Sequence, residues 1–582
     1  MYYLDLSQLA ATRLLDRSGL GPVGLTVSRM DLFGLRAHDI SLYGGAIRVA
    51  DFTLAYDPLR LAAGVVDQAE ITGLQVTMAT AGGDITVGGA PFRFAASPGG
   101  GSPIGGFRIN AIRIVEAHVA FDTPTGPLEA TFSTDLAFSG ADIRNASVAV
   151  DLTVPVAGAG QTMHIVAPEL ALSSQDGGGL RLLFEKVTIR PKDLPWTVDD
   201  LGGEILWRAD QLLAKIGSSH VSSTRSPPFL VPLRINGDAT MRGSQIDFAL
   251  HVVGEALGAK GKINLDAIGR DDRASGIGRL SVTVPPVMFQ ADGVQPGNFF
   301  PAIGDALPRL TGSAALSGAV TWRGDTVSPA LILRLADVAY EPEGARLSKI
   351  NGDIEFTGLW PVATAPSQVL NGTVEAGGLA PSNATLTFHL LPKPALSVES
   401  MRMDFVGGQI TTSPFIIDPV QPNFETVVGL RQIDLAAVLK LVSVDGLSGS
   451  GHVDGAILLA VSSGKVVIRE GKLAASGPGV LQLRSDVLPK QITDAGESMT
   501  LALQALADFR YDTLAMDLAE SPTGDGTITL RLQGRNPAVL DGRVFNLNIT
   551  FESNFDRLIG LALRSMAVAQ ELLRQTTGST RQ

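Results

Sequence analysis

Apolar and polar residues alternate one for one along most of this chain, and no other feature limits its fold as much. In "GTITLRLQG", Ile528, Leu530 and Leu532 fall on one side and Thr527, Thr529, Arg531 and Gln533 on the other, as in a strand with one buried face. "RVFNLNITFES" repeats the arrangement, setting Phe545, Leu547, Ile549 and Phe551 against Asn546, Asn548, Thr550 and Glu552. "MRMDFVGG" sets Met401, Met403 and Phe405 against Arg402 and Asp404, and shorter runs include Phe52, Leu54 and Tyr56 and Leu386, Phe388 and Leu390. Turn signals such as Gly44-Gly45, Asp445-Gly446 and Asp525-Gly526 separate the runs, which predicts antiparallel meanders with short connections. With 65 Gly and 33 Pro as punctuation, the expected class is mainly β with few short helices.

Three stretches have helical spacing instead. Leu6, Leu9, Ala10, Leu14 and Leu15, stopped by Gly19, predict an amphipathic helix over residues 1–22. Val198, Leu201, Ile205, Ala209, Leu212, Leu213 and Ile216, with Thr197 and Asp200 as a capping box, predict a helix over 197–217. Phe555, Leu558, Ile559, Ala562, Leu563 and Met566 predict a last helix ahead of a polar tail ending at residue 582. Between the end segments, the chain is expected to divide into a β half over 23–284 and a second over 285–556. A repeat supports such growth by similar units: "LTGSAALSG" from Leu310 and "LSGSGHVDG" from Leu447 share a pattern, and the preceding stretches begin at Gln295 and Gln432 in the same offset. Each copy reads as a short helix leading into a strand.

At 582 residues the chain exceeds one ordinary core, so several domains or one repetitive body are expected. Hydrophobic residues make up 45% and charged residues 18%, with a mean hydropathy of +0.22, yet no run approaches the ~18 to 20 apolar residues of a membrane-spanning helix. The apolar surface is therefore dispersed and needs a cover. A net charge of −12 argues against a nucleic-acid partner, because neutralising phosphates takes a basic face. The absence of cysteine excludes disulfides, thiolate metal sites and Cys nucleophiles. "MYYLDLSQLAATRLLDRSGLG" does not read as a secretory signal, so either a cytoplasmic chain or a targeting segment upstream of this sequence is expected.

Motifs for chemistry are lacking. His38, His118, His164, His220, His251, His389 and His452 are scattered without metal-ligand spacing and read as surface or loop residues. "GAKGKIN" and "SSGKVV" lack the spacing of a phosphate loop, "LSGSG" is spaced wrongly for a nucleophile elbow, and "RGD" at Arg323 reads as a coincidence between β runs. "GGQITTSPFIIDP", from Gly407 to Pro419, has the composition of a site but no histidine or base near its acid. It reads as architecture: Gly407-Gly408 bending or bulging a strand, Ile410 and Phe415 on the apolar side, Pro414 and Pro419 limiting pairing, and Asp418 turning the backbone. No enzyme, cofactor or metal site is expected.

Four segments together resemble one family. "GGQITTSPFIIDP" (407–419), "VDGLSGSGHVDGAILLAV" with "GKVVIREGKLAASGPG" (444–479), "ALADFRYDTLAMDL" (505–518) and "LQGRNPAVLDGRVFNLNITFESNFDRLI" (532–559) are similar to the C-terminal region of the YdbH family of AsmA-like envelope proteins, whose domain has carried the label "dicarboxylate transport". "VGLTVSRMDLFGLRAHDISL" and "VDQAEITGLQVTM" resemble its N-terminal repeats. The resemblance implies an elongated, twisted antiparallel sheet folded lengthwise into a hydrophobic groove, with 23–284 as its N-terminal half and 285–556 as its C-terminal domain, that conducts phospholipids across the bacterial periplasm. It also implies an inner-membrane anchor, which this sequence lacks before Tyr2, and a small outer-membrane lipoprotein as partner at one end. The groove-lining candidates are Met401, Met403, Phe405, Ile410, Phe415, Ile528, Leu530, Leu532, Phe545, Leu547, Ile549 and Phe551. Alternation alone favours a closed sandwich core, and the resemblance reverses that preference. The alternative from another class is a structural or assembly factor of the envelope with its sheet packed shut. Dicarboxylate transport ranks lower, since small charged solutes need a convergent Arg or Lys cluster that the sequence does not display.

Overall fold

The computed structural model describes residues 24–81, 84–91, 108–123, 126–139, 142–156, 161–175, 179–192, 194–208, 211–301, 309–324, 326–341, 345–359, 361–376, 382–392, 395–418, 423–442, 446–462, 465–484, 497–520 and 526–553. The helices expected over 1–22 and after residue 554 lie outside these residues. Strands make up 76% of the structure, so the mainly β, antiparallel class expected from alternation holds. Among the described residues the α-helices are α1 (Pro58–Ala62), α2 (Leu435–Val442) and α3 (Glu497–Leu506). The chain divides into two compact units: residues 1–255 with 264–280 and 321–327, and residues 256–263 with 281–320 and 328–582.

In unit 1, neighbours in sequence are neighbours in the sheet. From Gly24–Met30 to Gln245–Glu255 the long strands pair successively and antiparallel, except Gln68–Ala81 and Ala111–Thr123, which run parallel. A line of irregularities crosses this meander. Asp39, Gly73 and Glu116 have φ of 53°, 66° and 55°, and the ladder places them in line through Ala50. The Glu116 amide donates to Ser133 Oγ at 3.1 Å instead of to the ladder. Register shifts continue the line between Val148 and Val150, between Phe184 and Val187, and between Asp199 and Gly202. Each bulge bends its strand and sharpens its twist, so a bulge opposite a bulge creases the sheet into two walls. Next to the crease Ala117, Ala167 and Val187 are 0%, 4% and 6% exposed.

The helix expected over 197–217 is absent. Those residues form the strands Trp196–Arg208 and Gln211–Ser223, paired antiparallel on either side of residues 209–210. The three-to-four spacing came from a period of two that was interrupted. The bulge at Asp200, with φ of 52°, sets Val198 three residues before Leu201, and Gly203 fills the inward position between Leu201 and Ile205 without registering as apolar. Thr197, taken as a helix cap, instead donates from Oγ1 to Asp199 at 2.9 Å.

Glycine was read as punctuation, yet several glycines lie within strands beneath a large neighbour. A Cβ at Gly203 would meet Phe184 at 2.9 Å, one at Gly269 would meet Phe248 at 2.3 Å, and one at Gly278 would meet Trp322 at 2.1 Å. The ring of one strand therefore lies flat across the glycine of the next. Trp322 is held there by its indole N–H, which donates to Asp271 at 2.8 Å. Gly278→Ala is expected to lift the Trp322 ring and cost about 1 to 3 kcal/mol through overpacking. Thermal unfolding together with a shift of tryptophan emission checks this.

In unit 2, strands from Thr326–Tyr340 to Phe545–Ser553 also pair antiparallel in a meander. Gly407-Gly408 does not bulge a strand as expected. Phe405 pairs with Gly408, and Val406 and Gly407, with φ of 37° and 82°, form the two-residue hairpin turn between Ala395–Phe405 and Gly408–Thr412. Positive φ at both central positions matches the turn to the strand twist. Ser413-Pro414 then interrupts the strand without shifting register, since Pro414 has no N–H to give. Thr412 Oγ1 accepts the Met401 N–H at 3.0 Å, and Ser413 N donates to Val427 O at 2.9 Å. Of the two repeat copies, the second supplies α2 before the strand Leu447–Ser450; in the first, residues 302–308 lie outside the described set. The Gln295 side chain there bonds both the N–H and the C=O of Leu310, fixing entry into the strand Thr311–Arg323.

Candidate functional site

Unit 1 carries an apolar face that can be followed from strand to strand by register alone. On one wall, Met30 pairs with Leu35, Leu35 with Leu54, Leu54 with Ala69 and Ala69 with Ile112. The row goes on through Leu136, Ala146, Leu172 and Leu182, then Ile205, Ala214, Ala239 and Phe248, without one polar residue. Across the crease a second row runs Val119, Ala130, Leu152, Ile165, Ile189 and Val198, ending at Val221 and Leu233. All eight of these residues are half-buried. Closely packed interiors bury such side chains almost completely. Unit 1 thus carries two apolar rows on one face of its sheet, one on each side of the crease.

The reverse face is charged. Arg36 pairs with Asp51 at 3.2 Å, Arg181 with Glu204 at 2.8 Å and Arg270 with Asp247, all across neighbouring strands. Three of the histidines join in: His38, His164 and His251 each contact a carboxylate at 2.7 to 2.9 Å. Exposed pairs of this kind contribute little stability. Their importance is positional, since they keep charge on one face and leave the other to apolar side chains. No cluster of metal-ligating side chains occurs among the described residues.

The candidates from the sequence all fall in unit 2, and register brings several onto one row: Met403, Ile410, Leu430, Gly455, Leu473, Met516, Leu530 and Ile549. Their surroundings differ. Met401, Met403, Phe405, Ile410, Phe415, Phe545, Leu547 and Ile549 are half-buried, with Phe415 stacked on Phe424 at 4.6 Å between centroids. Ile528, Leu530 and Leu532 are 7%, 2% and 3% exposed, enclosed in a core with Leu435 and Leu439 of α2 and Leu503 and Leu506 of α3. Phe551 pairs in register with Ile528, and its side chain lies outside the described ones. Tyr511 helps to seal this core, its hydroxyl donating to Ser450 O at 2.7 Å. Asp454 pins the bulge at Gln432, accepting from Ser476 Oγ and from the Gln432 amide, both at 2.6 Å, and these bonds lower its carboxyl below the usual aspartate range.

The sequence reading expects a groove half over 23–284 but names no lining residue in it. The signal, the same alternation, was present at residues 24–255, but bulges break the count in nearly every strand.

No helix among the described residues is long and apolar enough to cross a membrane. Comparison with curated proteins and with solved structures returned no match. Comparison with family models matched residues 110–576, well over half of the chain, to the model described as YdbH-like, intermembrane phospholipid transport protein YdbH. With the four motifs and the two-faced antiparallel sheet, this match shows that the chain belongs to the YdbH-like family.

Proposed function

We propose that the chain carries phospholipid between membranes with acyl chains lying in the trough of unit 1. The observation that carries this reading is the unbroken apolar row from Met30 to Phe248, half-buried at every residue from Leu172 on. Each methylene leaving water gains about 0.8 kcal/mol, so a sixteen-carbon chain gains on the order of 12 kcal/mol wherever it lies. Because the row offers aliphatic carbon at every strand, the gain is nearly the same at each step and movement along it meets little resistance. Family membership supports placing this work in the bacterial envelope. Attachment to the inner membrane and a small outer-membrane lipoprotein as partner belong to the same proposal.

The packed core around Leu530 favours a second reading for part of unit 2: a closed β section with a structural role. One experiment addresses both. Lipid extraction and mass spectrometry of the purified protein are expected to recover phospholipid, and a photo-crosslinker at Ile189 is expected to capture it where one at Leu530 does not. An empty protein and no capture at Ile189 would overturn the transport reading.

A further inference from the structure

The apolar row of unit 1 begins at a corner of the sheet, and that corner ends in uncovered hydrocarbon. Met30, the first residue of the row, leads into the turn 31–33 between the strands Gly24–Met30 and Gly34–Leu42. At the apex of this turn Leu32 and Phe33 are 72% and 66% exposed. The third strand, Ile47–Ala55, ends beside the turn and passes into α1, where Leu59 is 84% exposed. Tyr56 ties the two segments together, its amide donating to Phe33 O at 3.0 Å and its hydroxyl to Asp31 O at 2.9 Å.

Both segments are firmly built. Asp31 Oδ1 accepts the amides of Phe33 and Gly34 at 2.9 and 3.0 Å, and its Oδ2 takes the Arg29 guanidinium at 2.6 Å. Asp57 caps α1 by accepting from the Leu59 and Arg60 amides at 2.8 and 3.3 Å. Asp67 fastens the same helix, accepting from the Asp57 amide at 2.9 Å and from Arg60 Nη1 at 2.8 Å. Turns are made chiefly of small and polar residues, so leucine and phenylalanine held out on an ordered turn need a reason. An exposed apolar cluster of this kind is a contact surface.

Charge and position together indicate the partner. Each arginine in residues 24–36 and 56–67 is paired: Arg29 with Asp31, Arg36 with Asp51 and Arg60 with Asp67. Asp57 adds a further acid, so the corner offers no surplus of positive charge to an anionic partner. Position then favours a lipid surface over a protein. Leu35, the second member of the row, lies two residues from Phe33, and Leu54, the third, lies two residues from Tyr56. Both are half-buried. The turn and the row therefore form one apolar path, running from side chains that project into water to side chains partly covered by the sheet.

We propose that the turn 31–33 and Leu59 form a membrane-inserting tip, which seats this corner of unit 1 in a bilayer through hydrocarbon alone, so that lipid tails pass between bilayer and row at Met30. The inference rests on the transport reading and adds to it a place of passage and a mode of docking.

The test uses the full chain, which has no cysteine, so Phe33→Cys accepts a single environment-sensitive nitrobenzoxadiazole label. Phosphatidylcholine vesicles are expected to shift its emission to the blue and raise it about two- to threefold, as for a group at the headgroup–acyl boundary. Nitroxides on the lipid tails should quench it, and salt at about 0.5 M should alter neither effect, since screening acts on charge. The same label on Asn145→Cys, exposed on the reverse face, should stay in water throughout. Leu32→Glu with Phe33→Glu and Leu59→Glu, all outside the row, should lower flotation with vesicles by about tenfold or more while leaving phospholipid uptake from detergent micelles intact. A native chain that does not float, a variant that floats equally well, or binding abolished by salt overturns the tip and leaves the transport reading standing. No uptake from micelles by the native chain overturns the transport reading itself. A label at position 33 already shielded without vesicles also overturns the tip: shielding that persists on dilution assigns the cover to this chain, and shielding that fades assigns it to a second copy.

Discussion

Phospholipid transfer is expected to fall by about a hundredfold or more when carboxylates are placed on both walls of the trough, as Ile205→Asp with Val221→Asp. These residues face the apolar side of adjacent strands, Ile205 opposite Ala214 and Val221 opposite Val198. Both are half-buried, so water reaches the new carboxylates while the trough is empty and the fold survives. A lipid tail passing over them removes that water, at an effective cost of several kcal/mol per ion. A difference of about 1.4 kcal/mol is tenfold, which gives the expected size. Transfer between donor and acceptor vesicles measures it. Asn145→Asp with Asn236→Asp, exposed on the reverse face, should leave transfer unaltered. Equal transfer by the wall variant and the native chain, with circular dichroism unchanged, would remove lipid passage from this face.

The second large effect separates the two units by how they are filled. Phe509→Ala removes a ring that is 0% exposed from the core of unit 2 and is expected to cost about 3 to 5 kcal/mol, since the cavity collapses only in part. Leu152→Ala in unit 1 should cost less, about 1 to 2 kcal/mol, because Leu152 is half-buried and already lacks a layer on one side. Amide hydrogen exchange read peptide by peptide checks both, with protection falling across 509–532 in the first and locally around 152 in the second. Comparable losses at both positions would mean that the wall of unit 1 is packed shut like the core.

Much of this was legible in the sequence. Alternation at Ile528, Leu530 and Leu532 and at Phe545, Leu547 and Ile549 gave the strands and the inward face, and the register pairs these residues directly. Alternation could not tell a trough from a core. The pattern that puts Leu530 at 2% exposure is the same one that leaves Leu152 half-buried, and the difference comes from α2 and α3, which cover one face and not the other. The failure at 197–217 has a related cause. A bulge adds one residue and a glycine deletes one side chain, and together they turned a strand's spacing into a helix's.

The crease also limits how such a protein can change. Asp39, Gly73 and Glu116 sit in line because each strand reaches its irregular residue at the same distance from the turn. A single insertion or deletion inside one strand would throw its bend out of line with both neighbours and turn the residues beyond it inside out. Adding or removing a complete hairpin keeps every bend aligned. Over evolutionary time the body is therefore expected to lengthen or shorten in whole increments of two strands, about 10 Å each, and to vary in sequence far more freely than in strand length.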